Sequence, residues 1–331
     1  MEREQALSDG NRLQPVSEGE EILVALDGGG TRTRCAAFDR KGVVRAEAET
    51  GPSNHLARDE DRGLEPVRDA ISTVLQRCGA RSNQVRIVSA GLAGVDLGGE
   101  GLFEAREFLQ RCGFGQFVVS ADIVTAHAGA LGGKPGILAL SGTGAVFYGV
   151  TVDGEHRKAG GWGAIYGDEG SAYWIGQMAL RAASAAYDGR RPKTLLIDQI
   201  CEALGLRDFS ETLQCIYRSH MRVRLIADLS RTTEAAAAAG DTVALEILRK
   251  AGDELSRGVQ AVAKALSMQP RGTEVTWEGS VLRNSELVRA QFITSLERVE
   301  PALTMVPPRF DPVYGAYLIG CKHIGWEVST R

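Results

Sequence analysis

A short apolar run, Ile22 to Leu26, leads directly into Asp27, the glycines 28–30 and Thr31. Glycines let the backbone approach a ligand closely, and the exposed N–H groups of such a turn form an anion site that phosphate commonly fills. A carboxylate beside phosphate favours Mg²⁺ between them, because Mg²⁺ takes a few carboxylate contacts, water and phosphate oxygens. The stretch predicts either a phosphate-binding turn with Mg²⁺ at Asp27 or a glycine hairpin with a polar tip.

A second glycine turn, Ser141-Gly142-Thr143-Gly144, also joins two apolar runs. The offset of 114 residues that separates Asp27 from Ser141 also separates Asp39 from Asp153, the acidic residues that close the two hairpins. Two strand–turn–strand units at one offset indicate an internal duplication. Two such turns that face each other would hold both ends of a polyphosphate.

Asp122 is the candidate catalytic residue. It follows the predicted strand at Phe117 to Ala121 and begins a helix. A carboxylate at such a place can take the proton from a hydroxyl that attacks phosphorus, as a general base does. The alternative is that Asp122 only caps its helix, a position that aspartate favours, and the two roles are compatible.

Glycines alternate with aromatic residues between Gly160 and Trp174. Such a stretch offers backbone polar groups beside flat apolar faces, a combination that suits a sugar ring. Asp168 could accept two hydroxyl hydrogen bonds there, although a glycine loop with an Asp/Glu/Ser helix start also explains Asp168 to Ser171. Gly279-Ser280, between a strand and a helix, predicts either a contact with adenine or ribose or an ordinary turn.

Patterns of apolar residues with strand and helix periods place these stretches on an α/β framework. The first half runs three strands, helix, strand, helix, strand, helix, and the second half restarts with two strands and is richer in helix. The predicted strands are 22–26, 34–39, 43–49, 85–90, 117–120, 137–140, 145–152, 273–277 and 303–306. The predicted helices are 59–78, 100–112, 123–131, 169–187, 194–204, 210–219, 222–239, 241–267, 285–299 and 313–324.

Composition excludes several classes of function. The 331 residues suggest two domains. A net charge of −4 without a basic run argues against nucleic acid, and no uncharged stretch reads as a membrane span. The six cysteines have neither disulfide nor metal spacing, which favours a cytoplasmic protein. The P-loop, dinucleotide-binding and serine-hydrolase motifs are absent from the sequence.

Taken together, these stretches resemble the N-acetylglucosamine kinases, which lie within the BadF/BadG/BcrA/BcrD-type ATPase family of the actin/hexokinase/Hsp70 superfamily. They occur in the family's order and extend from about residue 22 to residue 325. The stretch 161–174 is specific, whereas the first glycine turn alone would fit many members of the superfamily. The matching stretches are Leu26 to Arg32, Ser53-Asn54-His55, Asp122, Ser141 to Gly144, Gly161-Trp162-Gly163 and Gly167 to Trp174.

The resemblance implies an α/β fold of two ribonuclease-H-like lobes around an ATP cleft, with the second lobe enlarged by helices. A disordered tail is expected at residues 1–20 and an N-terminal lobe at 21–132, joined by the C-terminal helix at about 313–325. The C-terminal lobe is expected at 133–312. The strand and helix order of the first half points to the same fold independently.

The resemblance also implies a role for each site residue. ATP and Mg²⁺ are the expected cofactors, with the metal held by Asp27 through water. Asp122 would act as the base on the 6-hydroxyl of an amino sugar, with N-acetylglucosamine as the first choice. The sugar would contact Asn54, Asp122, Gly161, Trp162, Gly163 and Asp168. ATP would contact Asp27, Gly29, Gly30, Thr31, Gly142, Thr143, Gly144, Gly279 and Ser280.

One departure from the family pattern leaves the acceptor open. The mammalian kinases continue the second turn with Ser-Asn near the sugar, where this chain has Ala145-Val146, and they carry cysteine where it has Ala159. Glucosamine or another hexose therefore stays open as the acceptor. A BadF-type activator, which couples ATP hydrolysis to electron transfer without sugar kinase activity, is the further alternative. A homodimer without nucleic acid or membrane partners is expected.

Overall fold

The computed structural model describes residues 15–53, 63–95, 99–220, 222–268 and 272–328. The chain divides into two compact units, residues 1–133 with 309–331, and residues 134–308. The strands are β1 (Ile22–Gly28), β2 (Thr33–Asp39), β3 (Val44–Thr50), β4 (Val85–Leu92), β5 (Phe117–Ala121), β6 (Gly136–Ser141), β7 (Ala145–Val150), β8 (His156–Gly160), β9 (Glu274–Glu278) and β10 (Thr304–Met305).

The helices lie between and after these strands. They are α1 (Glu65–Cys78), α2 (Glu100–Arg111), α3 (Asp122–Ala130), α4 (Ala172–Tyr187), α5 (Leu196–Leu204), α6 (Thr212–Arg218), α7 (Arg222–Ala238), α8 (Thr242–Ala265), α9 (Ser280–Asn284), α10 (Glu286–Val299) and α11 (Pro312–Ile324). Two short 3-10 helices lie at Ser82–Gln84 and Phe209–Glu211.

The first unit contains a five-stranded sheet in the order β3-β2-β1-β4-β5. β1, β2 and β3 pair antiparallel, and β4 and β5 continue parallel to β1. The central strand β1 is a continuous apolar run because both of its faces are covered, as is usual for strands inside such sheets. Val24 and Leu26 pack in one cluster with α1 and α2, and Leu23 and Ala25 pack in another with α11.

The second unit repeats this arrangement. Its sheet has the order β8-β7-β6-β9-β10, with β6, β7 and β8 antiparallel and β9 and β10 parallel to β6. Each unit therefore places its strands in the spatial order third, second, first, fourth, fifth. The shared strand order supports the internal duplication that the offset of the two turns predicts. The second unit adds a helical layer, in which α8 lies so close to β7 that a Cβ on Gly258 would meet Phe147.

The predicted elements differ from the structure mainly at short or polar segments. The sequence pattern does not predict β8 (His156–Gly160), because this polar, exposed edge strand lacks the alternation of a half-buried strand. It also misses α9 (Ser280–Asn284), a single turn with too few residues for a helical period. The helix predicted at 169–187 begins at Ala172, because Ser171 is its N-cap and accepts a hydrogen bond from the Trp174 N–H.

Residues 15–20, which the sequence analysis includes in a disordered tail, pack against the first unit. The Val16 side chain is buried, and its backbone N–H donates to the Cys78 carbonyl at 2.9 Å. The Glu20 carboxylate pairs with Arg45 at 2.6 Å. The buried Val16 side chain and the Glu20–Arg45 ion pair therefore hold this segment against the first unit. The polar composition of the segment does not predict this packing. Residues 1–14 lie outside the described residues.

The helices of the described residues include none with the length and apolar character that a bilayer crossing needs.

Candidate active site

The first glycine turn connects β1 and β2. The Gly29 N–H donates to the Arg32 carbonyl at 2.9 Å, and the Ser53 N–H donates to the Gly29 carbonyl at 3.1 Å. Gly28 and Gly29 do not have positive φ values. Gly28 is required for another reason, because a Cβ there would lie 2.3 Å from the Ser53 hydroxyl oxygen. The tip of the turn, including Gly30 and Thr31, is exposed.

Asp27, the predicted metal residue, lies at the end of β1 and pairs with Arg34. The Arg34 Nη2 atom is 3.1 Å from Asp27 Oδ2, and the two side chains are 26% and 22% exposed. Burial raises the pKa of Asp27, and the Arg34 guanidinium offsets part of that rise. Asp27 Oδ1 accepts no hydrogen bond from the described residues, so one carboxylate oxygen is available to a ligand.

This oxygen is compatible with the expected Mg²⁺. The residues that the structure describes contain no cluster of three or more His, Cys, Asp or Glu that could hold a metal. A cation here would therefore take its other ligands from water and from phosphate oxygens, which is how Mg²⁺ commonly binds with nucleotides. The donor set fits Mg²⁺ better than it fits a cation that needs an all-protein cage.

Asp122 lies at the same edge of the first sheet as the glycine turn. The register aligns Gly28 with Leu92, and Leu92 with Ala121, so Asp122 follows a strand end two strands away from Gly28. Neighbouring strands are about 4.8 Å apart, which puts the two strand ends about 10 Å apart. The sheet thus brings the candidate base to the edge that carries the candidate phosphate turn.

The capping role considered for Asp122 is wrong. The N-cap of α3 is Ala121, and Asp122 is the first helical residue, whose Oδ1 accepts from the N–H of the adjacent Ile123 at 2.8 Å. Its carboxylate lies in the first turn, where the positive end of the helix dipole stabilises negative charge. Asp122 is half-buried, so its side chain retains contact with solvent.

The second glycine turn lies against α4 and α9 within the second unit. The carbonyls of Gly142 and Thr143 accept from the N–H groups of Ala172 and Tyr173 at 2.8 and 3.3 Å. The ideal Cβ position of Gly142 is 3.7 Å from the Ser280 hydroxyl oxygen. The structure therefore brings together two stretches that the sequence analysis assigns to ATP, the turn at 141–144 and Gly279-Ser280.

Asp168 lies directly beside this turn. A Cβ on Gly144 would be 2.6 Å from Asp168 Oδ2, so only glycine leaves room for the carboxylate. The carboxylate accepts hydrogen bonds from the backbone N–H groups of Ala145 and Gly163, and burial raises its pKa. Asp168 itself has a left-handed φ of 59°. It thus ties the second glycine turn to the loop at 160–168, which the sequence analysis assigns to the sugar.

The loop at 160–168 exposes large apolar side chains. Trp162, Ile165 and Tyr166 are 67%, 91% and 74% exposed. The positive φ values of 70° at Gly161 and 87° at Gly163 bend the backbone on both sides of Trp162. The sugar-contact prediction for this loop is consistent with such open aromatic faces, because soluble proteins seldom expose groups of large apolar side chains without a use.

Asn54, the remaining predicted sugar contact, lies outside the described residues. Two charged residues near Asp27 are absent from the predicted site, namely Arg34 and Asp311. A signal for Arg34 was available, since the predicted hairpin sets it directly opposite Asp27. A signal for Asp311 was also available, because an aspartate before a proline marks a helix start, and Asp311 is the N-cap of α11.

Gly279 permits a test of the second turn. Its φ of 93° and ψ of 159° lie in a region that glycine alone occupies readily, and a Cβ there would be 2.2 Å from the Ser141 carbonyl oxygen. We expect Gly279→Ala to lower the free energy of unfolding by more than the roughly 1–3 kcal/mol of backbone strain alone, and to weaken ADP binding. Urea unfolding and calorimetric titration would measure the two effects.

Gly154→Ala is the matched control for this substitution. Gly154 has a similar φ of 86°, but nothing lies within 4 Å of its ideal Cβ position. This variant should show a strain penalty and unchanged ADP binding. Equal losses in both variants would contradict the importance of the contact between Gly279 and Ser141.

The chain belongs to the BadF/BadG/BcrA/BcrD ATPase family, whose sequence profile matches residues 24–320. It is 32% identical over 300 residues to the N-acetylmuramic acid/N-acetylglucosamine kinase of Clostridium acetobutylicum, a match that covers 90% of this chain and 98% of that relative. It is 25% identical over 311 residues to the N-acetyl-D-glucosamine kinase of Dictyostelium discoideum, covering 91% of this chain and 98% of that one. The predicted family is confirmed.

Comparison with solved structures confirms the predicted fold class. A structure from Chromobacterium violaceum superposes with a TM-score of 0.73 at 29% identity, covering 91% of this chain and 99% of that one. A glucokinase of the ROK family from Streptomyces griseus, solved with glucose and AMPPNP, gives a TM-score of 0.56 at 17% identity and covers 90% and 98%. The latter likeness concerns the fold alone. The two α/β units with the actin-like ATPase fold are thus established.

Proposed function

We propose that this protein is an ATP-dependent kinase that phosphorylates the 6-hydroxyl of an amino sugar, with N-acetylglucosamine as the preferred acceptor. The observation that carries the proposal is the position of Asp122, which follows a strand at the same sheet edge as the glycine turn after Asp27. A base at a phosphate-binding edge is what phosphoryl transfer to a hydroxyl requires. The relatives from C. acetobutylicum and D. discoideum support the same reaction class.

In the proposed reaction, backbone N–H groups of the two glycine turns bind ATP phosphates, and Gly279-Ser280 contacts the adenosine. Asp122 accepts the proton from the sugar hydroxyl while the oxygen of that hydroxyl forms a bond to the γ-phosphorus. The bond between that phosphorus and the oxygen bridging to the β-phosphate breaks, and ADP leaves. Mg²⁺, held by Asp27 through water, would offset the negative charge of the phosphates.

The proposed sugar contacts include the loop at 160–168, with Asp168 as the acceptor of sugar hydroxyl hydrogen bonds. Val146 lies beside this loop, because the ideal Cβ position of Gly161 is 3.1 Å from Val146 Cγ2. Ala145 and Val146 therefore give this part of the surroundings an apolar character. That character favours an acceptor with an apolar substituent, such as an acetamido methyl, over an unsubstituted hexose.

A coupled assay of ADP release tests the proposal. N-acetylglucosamine, N-acetylmuramic acid, N-acetylmannosamine, glucosamine and glucose would be compared by kcat/KM. We expect the highest value for N-acetylglucosamine and lower values for glucosamine and glucose, which lack the acetamido methyl. A higher value for glucosamine would move the assignment to the alternative acceptor.

The absorbance spectrum of the same preparation would test the activator alternative. Absence of sugar-dependent ADP release, together with the visible absorption of an iron–sulfur cluster, would replace the kinase proposal with that reading. A homodimer and a cytoplasmic location stay predictions, and sedimentation velocity would test the first of them.

A further inference from the structure

We propose that Arg34 is a positioning residue: it fixes the orientation of the Asp27 carboxylate and limits the attraction of that carboxylate for a free divalent cation. This inference rests on the proposed function in so far as Asp27 serves a metal–nucleotide complex. Arg34 is distinct from the glycine turn, from Asp122 and from the sugar loop. It acts through Asp27 and not through direct contact with the reacting atoms.

The register of the first hairpin places Arg34 in reach of Asp27. The two residues lie directly opposite each other on β1 and β2, so their side chains project from the same face of the sheet. Arg34 Nη2 contacts Asp27 Oδ2 at 3.1 Å. A planar guanidinium that holds one carboxylate oxygen defines the direction in which the other oxygen, Oδ1, points.

Asp311 holds the guanidinium from its other side. Arg34 Nη1 lies 3.3 Å from Asp311 Oδ2, while Asp311 Oδ1 accepts from the Tyr314 N–H at 2.9 Å as the cap of α11. Both oxygens of Asp311 thus have partners, and the helix cap fixes its position. Arg34 cannot turn away from Asp27 without giving up this second contact.

The three side chains carry one positive and two negative charges. Removing the Arg34 charge would leave two neighbouring carboxylates and would strengthen the attraction for a free cation. The side chains are 22% to 48% exposed, so solvent screens this attraction in part. An effect of about fivefold on the dissociation constant of the bare cation is the size expected for such pairs. Removing Arg34 also removes the fixed orientation of the Asp27 carboxylate. This loss should weaken the binding of a metal–nucleotide complex, which is the opposite of the effect on the bare cation.

The test uses Mn²⁺ as an electron paramagnetic resonance probe, titrated into the whole protein with and without ADP. In Arg34→Met we expect bare Mn²⁺ to bind about fivefold more tightly than in the wild type. The Mn²⁺·ADP complex should bind more weakly, and kcat in the ADP-release assay should fall about tenfold to a hundredfold, as expected when a reacting group is misplaced. Arg34→Lys keeps the charge and should therefore have the wild-type affinity for bare Mn²⁺. Its kcat should stay low, because an ammonium group lacks the planar pair of nitrogens with which the guanidinium contacts Asp27 and Asp311.

Arg32→Met is the matched control. Arg32 lies in the same turn and carries the same charge, but it pairs with Glu49 at 3.2 Å and is 56% exposed. Its charge acts on Asp27 less strongly than that of Arg34, so its replacement should change bare Mn²⁺ binding and Mn²⁺·ADP binding much less than Arg34→Met does. Asp311→Asn keeps a side chain that can cap α11 and should reproduce part of the kcat loss without the tighter binding of bare Mn²⁺.

Equal Mn²⁺ behaviour of Arg34→Met and Arg32→Met would overturn the inference, whether or not the protein phosphorylates a sugar. If the wild type phosphorylated none of the five sugars while Arg34→Met still bound bare Mn²⁺ more tightly and Mn²⁺·ADP more weakly, the inference would stand and the proposed function would fail. A loss of stability in Arg34→Met without a change in either Mn²⁺ titration would show a merely structural ion pair.

Discussion

Replacing Asp122 with asparagine should lower kcat by about 100- to 10,000-fold, the usual contribution of a general base, while ADP binding stays intact. The asparagine Oδ1 can still accept from the Ile123 N–H, which the aspartate Oδ1 does at 2.8 Å. The start of α3 is therefore preserved, and only the acceptor for the hydroxyl proton is lost. Steady-state kinetics with N-acetylglucosamine and calorimetric titration with ADP would measure the two quantities.

The control for Asp122→Asn is Glu286→Gln. Glu286 is also the first residue of a helix, α10, and so has the same relation to a helix dipole. Each substitution removes one stabilising charge, which costs about 0.3–1 kcal/mol. Glu286→Gln should leave kcat unchanged. A kcat of Asp122→Asn within a few fold of the wild type would remove Asp122 from the role of base.

The sequence predicts the fold well because its signals are local. The apolar run at 22–26 has both faces covered, and the offset of 114 residues between the two turns matches the repeated strand order of the sheets. The errors fall where a local signal is weak. β8 is a polar edge strand, and α9 is a single turn fixed by the close approach of Gly279 to Ser141.

The site is predicted less completely because its supports come from distant parts of the chain. The sequence places Asp122 after a strand, but only the parallel register of β1, β4 and β5 brings it to the edge of the first glycine turn. Arg34 contacts Asp27, which is seven residues away, and Asp311, which is 277 residues away. A local sequence pattern cannot predict the contact between Arg34 and Asp311, because the two residues are too far apart in the chain.

The glycines illustrate the same limit. The sequence shows that Gly28 and Gly144 occur in turns, but their neighbours decide why glycine is needed. At Gly28 the neighbour is the Ser53 hydroxyl, and at Gly144 it is the Asp168 carboxylate. Both neighbours come from the protein itself, so the need for glycine at these positions is structural before any ligand binds.

Asp168→Asn should raise the KM for the sugar by about tenfold to a hundredfold, because a hydrogen bond to a charged group contributes about 1.5–3 kcal/mol. An ionised carboxylate has acceptor capacity for about four hydrogen bonds, so the N–H groups of Ala145 and Gly163 leave room for sugar hydroxyls. Asparagine has only one acceptor oxygen. Its NH₂ group would face one of the backbone N–H donors and could not accept a hydrogen bond from it. The KM for ATP should change much less.

The pH dependence of the sugar KM provides a second signature. Burial raises the pKa of Asp168, so its carboxylate takes up a proton at a higher pH than an exposed aspartate does. A protonated carboxyl loses acceptor capacity, and the wild-type sugar KM should therefore rise as the pH falls through this raised pKa. In Asp168→Asn that rise should be absent, because asparagine does not titrate.

Asp153→Asn, which replaces an exposed aspartate in the β7–β8 turn, should behave like the wild type. An unchanged sugar KM in Asp168→Asn would exclude Asp168 from the sugar site and leave it only the link between the glycine turn and the loop.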